Sequence, residues 1–284
     1  MFLPYFLFLV AFGVTPVVMS VVVSLQSSRN SPGGLGNYLA AITDYRFLPA
    51  LTNVVTFLVI YVPAMLIVVS VFALLLDSVP RRFNLPLRLA YIVPATLTGS
   101  VAVLAWYVML EPQFSPFRSL FAAVGITQSQ QLWTQDSLVW IFALMAFFTG
   151  AGNWIIVQYG SLQSIPDELI EAARVDGASA AQIALQIKLP LIRKYLIYMA
   201  VLSFAAGMQV FAEPQLISST IFRGLATNWS LNQLSFFFAF SNGDLGKAAA
   251  VSLALFIVCL VFALVIVFRG NFFEGADVRK AKTK

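Results

Sequence analysis

The segment SIPDELIEAARVDGASAAQIALQIKLPLIRKYL, residues 164–196, is the only long stretch of this sequence in which charged and apolar residues mix at helical spacing. Long apolar runs flank it on both sides. It is therefore predicted to lie at a membrane surface, between helices that cross the membrane.

The composition places the chain in a membrane. Of its 284 residues, 60% are hydrophobic and only 10% are charged, and its mean hydropathy is +0.87. A soluble domain carries about 25% charged residues. A net charge of +5 would suggest an acidic partner for a soluble protein, but in a membrane protein the placement of the charges matters more. We expect membrane lipid around the chain and no nucleic-acid partner.

Residue usage excludes several kinds of chemistry. The sequence contains no histidine, and Cys259 is its single cysteine. A histidine-based proton relay, an intrachain disulfide and a thiolate metal cluster are therefore excluded. We expect no catalytic residue, no metal site and no cofactor bound by this chain.

Six apolar runs are long enough to cross a bilayer as helices, which takes about 20 residues each. They cover about residues 2–25, 51–76, 89–110, 137–159, 195–216 and 248–268. The first run lacks a basic amino-terminal region and an Ala-x-Ala cleavage site, so we expect a span and not a signal peptide. The sequence predicts a single transmembrane domain over residues 1–284.

Basic residues are concentrated on one side of the predicted membrane. That side holds the connection at 77–88, the segment at 164–196 and the tail that follows residue 268. The opposite side holds the smaller set, namely Arg29, Arg46, Arg118, Arg223 and Lys247. Because basic residues remain in the cytosol, both termini and the segment at 164–196 are predicted to be cytosolic.

Residues 164–194, named here the docking segment, are predicted to form two short helices. Ser164 is the candidate N-cap of the first helix, and Gly177 is placed to end it. Ser179 and Gln182 have the spacing of a capping box at the start of the second. Pro190 is predicted to end that helix before the fifth span.

The first helix of the docking segment combines a charge with small side chains. Glu171 offers a carboxylate, and Ala172 and Ala173 would let a partner approach the backbone closely. The alternative is an amphipathic helix that lies in the membrane interface and only connects two spans.

The docking segment resembles the EAA loop of permease subunits of bacterial ABC importers. The positions that carry the resemblance are Glu171, Ala172, Ala173, Gly177, Ile187, Leu189 and Pro190. Flanking residues resemble the carbohydrate, maltose-type permeases. These are residues 163–166, 168–169 and 176–179, with weaker matches at Gly34–Tyr38, Asn53, Val93–Pro94 and Asp244–Gly246.

The resemblance implies an all-α type I ABC importer transmembrane domain with six spans and a coupling helix between spans four and five. Glu171, Ala172, Ala173 and Gly177 would contact an ATPase subunit. Ile187, Leu189 and Pro190 would brace the second helix. This chain has no P-loop, so ATP and Mg²⁺ would be bound by separate ATPase subunits.

Further partners are also implied by the resemblance. A second, homologous permease subunit, expected to be a different chain, would complete the transport path. An extracytoplasmic solute-binding protein would deliver the solute. The membrane is expected to be a bacterial cytoplasmic membrane.

Candidates for the solute path are polar residues within apolar runs, because a charge inside a span is costly and usually functional. Glu213 is the first candidate, and Pro214 is predicted to break the helix there. Gln209 lies one helical turn earlier and is placed to share its face. Asn153 and Trp154 form a second polar and aromatic pair. The alternatives are that Glu213 lies in water at the outer interface and that Asn153 and Trp154 serve helix packing.

The family often has a Gly-Gly-Pro element after the fifth span, which residues 218–224 lack. The external gate and the sugar contacts are therefore not carried over from the family. We expect a sugar importer subunit that is not itself an enzyme. The alternatives are a permease for glycerol phosphate or oligopeptides, an ATP-independent carrier or channel, and a non-transporting assembly or sensor protein.

Overall fold

The structure, a computed structural model of the chain, describes residues 3–27 and 33–269. No β-strand occurs among these residues. The helices, in chain order, are α1 Leu3–Leu25, α2 Gly36–Ile42, α3 Phe47–Ser78, α4 Arg81–Thr96, α5 Gly99–Leu110, α6 Arg118–Ala123, α7 Ser129–Leu132, α8 Leu138–Leu162, α9 Asp167–Val175, α10 at 180–191, α11 Arg193–Met208, α12 at 212–221, α13 at 231–241 and α14 Leu245–Arg269. Arg29 and the basic residues beyond Arg269, on which the predicted topology partly depends, lie outside the described residues.

Five helical stretches of the described residues are long and apolar enough to cross a membrane. They are α1, α3, α8, α11 together with the first part of α12, and α14. A bent pair, α4 and α5, makes a sixth if it is counted as one span. This is the all-α, six-span membrane architecture that the sequence predicts.

The prediction of one continuous span at 89–110 is wrong, because the structure divides this stretch into two helices. Its two parts, α4 and α5, are bent by 103° at the break between them. Leu97 and Thr98 adopt extended backbone angles, and Gly99 has a φ of +58°. Pro94 lacks an N–H group and so weakens the last turn of α4, and Gly99 takes a left-handed angle that other residues adopt only with strain.

The described residues divide into two compact units. One contains the chain up to Thr56 together with Met208–Leu260. The other contains Phe57–Gly207 together with the end of α14 from Val261.

In the first unit, Asn37 is fully buried and holds the turn after α1. Its Nδ2 donates hydrogen bonds to the carbonyl oxygens of Ser24 and Gln26, both at 2.8 Å. Gly246 lies directly against it, since a Cβ at Gly246 would be 2.7 Å from Asn37 Nδ2. Two of the weaker sequence matches, at 34–38 and 244–246, therefore meet in a packing contact.

The second unit has an apolar core built from α3, α8 and α11. Its fully buried side chains include Phe57, Met65, Phe142 and Met199. Where α4 and α8 cross, their backbones nearly touch. A Cβ on Gly152 would lie 2.0 Å from the carbonyl oxygen of Tyr91, so only glycine fits there.

Gly152→Ala is expected to destabilise the folded protein by about 1–3 kcal/mol, because the added methyl group overlaps backbone atoms that cannot move aside. Thermal unfolding of the purified protein in detergent measures the effect. Gly160→Ala is the matched control: it lies in the same helix, and a Cβ there would meet nothing within 4 Å. Equal unfolding midpoints for the two variants would contradict the close contact.

Candidate functional site

The first helix of the docking segment, α9, begins after Pro166 and carries Asp167 and Glu168 in its first turn. These acids complement the helix dipole. The prediction that Ser164 caps this helix is wrong, because its hydroxyl donates to the carbonyl of Ser161 at 2.7 Å. Pro166 occupies the N-cap position, and its extended backbone leads the chain into the helix.

Gly177 ends α9 as predicted, with a φ of +82°. The N–H group of Ala178 donates to the carbonyl of Ala173 at 2.9 Å, and that of Gly177 donates to Arg174 at 3.0 Å. These two bonds form a Schellman motif, which satisfies carbonyl groups that the end of a helix leaves unpaired. The direction in which the chain leaves α9 is therefore set by its own backbone.

The capping box predicted for the second helix is also present. The Ser179 hydroxyl accepts a hydrogen bond from the Gln182 N–H group at 3.3 Å, and the Gln182 side chain accepts one from the Ser179 N–H group at 2.8 Å. The helix α10 passes through a π-helical turn at Ile183–Lys188 and ends at Leu191, with Ile192 as its C-cap residue.

Pro190 was predicted to end this helix and does not. It lies inside the last turn of α10, and the break follows at Ile192, which has a φ of −90° and a ψ of 10°. Ile192 is almost completely buried with Ala73 and Leu162, in what we name the anchor cluster. The helix thus breaks at the residue whose side chain is buried in the anchor cluster.

The predicted contact residues of the docking segment differ in exposure. Glu171, Ala172 and Gly177 are exposed, and Ala173 is half-buried. The neighbouring Ile170 is buried, so α9 presents one face to this chain and leaves the opposite one open.

The predicted bracing residues lie along α10. Ile187 and Leu189 are half-buried, and Leu189 packs against the anchor cluster. Pro190 is exposed. The second helix is thus attached to α3 and α8 through Leu189 and through Ile192, the residue that follows it.

Residues predicted for the solute path fall in both units. Asn153 and Trp154 lie on α8 in the second unit. Asn153 is exposed, and the Trp154 ring meets the Tyr198 ring edge-on at a centroid distance of 5.6 Å. Gln209 and Glu213 lie in the first unit. Gln209 is exposed and Glu213 is half-buried.

The fifth span breaks between Gln209 and Glu213, so these residues do not share one continuous helical face as predicted. Phe211 has a φ of −147° and a ψ of −49°, which interrupts the helix. The amide of Asn232 donates a hydrogen bond to the freed carbonyl of Gln209 at 3.1 Å. Pro214 was predicted to break the helix, but it lies in the first turn of α12, where a proline is tolerated.

A buried amide that the sequence did not single out organises this region. Gln233 is 4% exposed, and its Oε1 accepts a hydrogen bond from the Trp229 N–H group at 2.8 Å. Its Nε2 donates to Gln215 Oε1 at 3.1 Å and to Ser218 Oγ at 3.0 Å. The one sequence signal was the spacing of Ser230 and Gln233, since the Ser230 hydroxyl caps α13.

A groove of about 540 Å³ lies within the first unit. The rings of Phe211, Phe236 and Phe240 line it together with the amide of Asn232. Centroid distances of 5.3 Å and 4.6 Å separate successive rings of this series. Neither Glu213 nor Gln209 is among the residues that line the groove.

Arg46, which the sequence singled out only by its charge, forms a tight ion pair. Its Nε and Nη2 donate to the two carboxylate oxygens of Asp44, both at 2.8 Å, and its guanidinium lies 4.3 Å from the Phe237 ring centroid. The hydrogen bond from Arg46 holds the pKa of Asp44 below its usual value. The pair therefore adds stability above the ordinary carboxyl pKa, and this contribution is lost as the pH falls through the lowered one.

Two curated relatives match nearly the whole chain. The arabinooligosaccharides transport system permease protein AraP of Halalkalibacterium halodurans is 25% identical over 282 residues, covering 96% of this chain and 87% of the relative. The trehalose/maltose transport system permease protein MalF of Thermococcus litoralis is 24% identical over 277 residues, covering 96% and 92%.

Solved structures show the same fold. A chain in the crystal structure of a bacterial ABC transporter involved in the import of the acidic polysaccharide alginate has a TM-score of 0.81 at 17% identity, over 96% of this chain and 94% of that one. A chain of the bacterial alginate transporter in complex with an alginate pentasaccharide-bound periplasmic protein has a TM-score of 0.82 at 18% identity, with the same coverage. The predicted fold class, a type I ABC importer transmembrane domain, is confirmed.

A family model described as "binding-protein-dependent transport system inner membrane component" matches residues 34–271, which is most of the chain. The chain therefore belongs to the family of binding-protein-dependent transport system inner membrane components.

Proposed function

We propose that this chain is a transmembrane subunit of an ATP-driven importer that carries a sugar or sugar-like solute across the cytoplasmic membrane into the cell. The observation that carries the proposal is the open face of α9 in a member of this family. Glu171 and Ala172 are exposed there, and a Schellman motif fixes their position relative to the anchored second helix. A charged, small-residue face of this kind is suited to receive a partner protein.

The sugar class is supported by the names of similar proteins. The two relatives are named for arabinooligosaccharides and for trehalose and maltose, and the structural neighbour imports alginate. All of these solutes are saccharides. A permease for glycerol phosphate or oligopeptides is the alternative within the family.

The complete importer contains parts that this chain does not supply. We assign ATP and Mg²⁺ to two separate ATPase subunits, because this sequence has no P-loop. A second, different permease subunit completes the transport path. An extracytoplasmic solute-binding protein delivers the solute, which the family description supports.

The docking segment couples these parts. The ATPase binds at Glu171, Ala172, Ala173 and Gly177, while Ile187, Leu189 and Pro190 brace the second helix. When ATP closes the ATPase dimer, the docking segments of the two permease subunits are pulled together, and the membrane helices switch between outward and inward openings. This is alternating access by rigid-body motion.

This mechanism requires the docking segment and both termini to be cytosolic. The distribution of basic residues along the sequence supports this orientation, because the connections at 77–88 and 164–196 and the tail hold most of the 17 basic residues.

The solute path includes Gln209, Glu213, Asn153 and Trp154. Sugars are bound by carboxylates and amides, which hydrogen-bond their hydroxyl groups, and by aromatic rings, which stack on their apolar faces. The helix is interrupted at Phe211, between the residues of the first pair. The Trp154 ring is held against Tyr198 in the second unit.

Uptake by the assembled complex in lipid vesicles tests the function. Radiolabelled arabinotriose, maltose and trehalose are supplied outside with the binding protein, and ATP is enclosed inside. We expect uptake of at least one sugar that requires ATP. Uptake without ATP would favour a secondary carrier, and uptake of glycerol phosphate or a peptide alone would change the solute class.

Ala172→Leu is expected to reduce recovery of the ATPase with the purified permease by about tenfold or more. The larger side chain holds the partner away from the backbone of α9, and a loss of about 1.4 kcal/mol is a factor of ten in affinity. Ala180→Leu is the matched control, since Ala180 is also exposed but is not among the predicted contact residues. Equal recovery with both variants would argue against α9 as the ATPase contact.

Glu213→Gln is expected to weaken the sugar affinity or to lower the stimulation of ATP hydrolysis by the loaded binding protein, because the amide loses the charge that strengthens hydrogen bonds to hydroxyl groups. Both quantities are measured on the assembled complex. Asp136→Asn, at an exposed acid in the connection before α8, serves as the control. If the two variants behave alike, Glu213 lies in water at the interface and outside the solute path.

A further inference from the structure

Asp77 lies in the last turn of α3, where its side chain is only 7% exposed. Lys188 of the docking segment donates a hydrogen bond from Nζ to Asp77 Oδ2 and forms an ion pair with it. Gln163, which caps the end of α8, donates from Nε2 to Asp77 Oδ1 at 2.6 Å. One carboxylate therefore joins the ends of α3 and α8 to α10.

The anchor cluster lies beside this polar contact. Ala73 and Asp77 are four residues apart on α3, and Lys188 and Ile192 are four residues apart at the end of α10, so each pair shares a helix face. Ala73 packs with Ile192, and Asp77 pairs with Lys188. The two helix ends thus meet through one apolar and one ionic contact, one turn apart.

The position of Asp77 is unfavourable for α3 alone. A carboxylate in the last turn of a helix opposes the helix dipole, and burying a charge is costly unless it is paired. The residues that compensate it, Lys188 and Gln163, both belong to other elements. The energy of this carboxylate therefore depends on α10 and α8 remaining in place.

The two contacts restrain different motions. The anchor cluster is apolar, and apolar contact has no preferred direction, so it holds α10 against α3 without fixing its register. The charge-assisted contacts of Asp77 have directional geometry and do fix it.

We propose that Asp77 is a positioning residue that ties α10 to the ends of α3 and α8, so that displacement of the docking segment carries these helices with it. The inference rests on the proposed function, because only a chain that docks an ATPase has such a displacement to transmit. Asp77 acts through Lys188 and Gln163 and does not contact the ATPase or the solute.

The test measures the spacing of α10 and α3 in the assembled complex. Spin labels are attached at Ser78→Cys and Gln186→Cys, both exposed positions, in a Cys259→Ser background, and their dipolar coupling is recorded with and without ATP. The protein with native Asp77 and Lys188 is expected to give one narrow distance that ATP does not change. Lys188→Met is expected to broaden this distribution and to let it shift when ATP binds, while the ATPase still co-purifies.

Exchange of the charges is the decisive variant. Asp77→Lys with Lys188→Asp restores the ion pair and is expected to restore the narrow distance, which a merely destabilising effect of either substitution would not do. Lys194→Met is the control for loss of a nearby exposed lysine and should leave the distance unchanged.

Three results would overturn the inference. The first is a distance in Lys188→Met that stays as narrow and as fixed as with native Lys188, while ATP-dependent uptake shows the importer to be intact. The second is a charge exchange that behaves no better than Lys188→Met. The third is failure of the unsubstituted chain to bind any ATPase, which removes the proposed function and this inference together.

Discussion

A bilayer offers no hydrogen-bond partner to backbone N–H and C=O groups, and each unpaired group costs several kcal/mol. The chain meets this constraint with long helices, and two interruptions of apolar runs within residues 33–269 are compensated locally. At the break in the fifth span, the Asn232 amide donates a hydrogen bond to the carbonyl oxygen of Gln209. At the bend after α4, the Leu97 N–H group closes on the carbonyl of Pro94. Irregular backbone occurs where the protein supplies partners, so polar groups are concentrated at these breaks.

The docking segment is constrained differently, because most of its residues are exposed and contribute little buried surface. Its first helix is closed at one end by the Schellman motif at Gly177, and its second begins with the capping box of Ser179. These backbone and side-chain hydrogen bonds fix the angle between the two helices. Ile170 and Ile183 are its buried side chains within the two helices, and Leu189 and Ile192 attach it to Ala73 of α3 and Leu162 of α8. Stiffness within the segment and attachment to the membrane helices thus come from separate residues.

The features that could be predicted from the sequence are those decided by neighbours along the chain. Caps depend on residues within four positions, which is why Gly177 and the Ser179–Gln182 pair were predicted correctly. The Ser164 cap was not, because its hydroxyl bonds back to Ser161 of α8. The breaks at Ile192 and Phe211 could not be placed, because distant contacts such as that of Ile192 with Ala73 accompany them. Asp77 carried no signal of its role and Gln233 only its spacing from Ser230, since a single acid or amide acquires its role from its partners in space. The lengths of the apolar runs, by contrast, were sufficient to predict the all-α membrane architecture.

The crossing of α4 and α8 has a consequence for how such a molecule can move. Helices that shear past one another do so on a layer of side chains that can change rotamer as they slide. At Gly152 that layer is missing, because the backbone of α8 rests on the carbonyl of Tyr91. At Gly152, α4 and α8 therefore have no layer of side chains between them that would let one helix slide along the other. We therefore expect α4 and α8 to move together when the second unit rearranges.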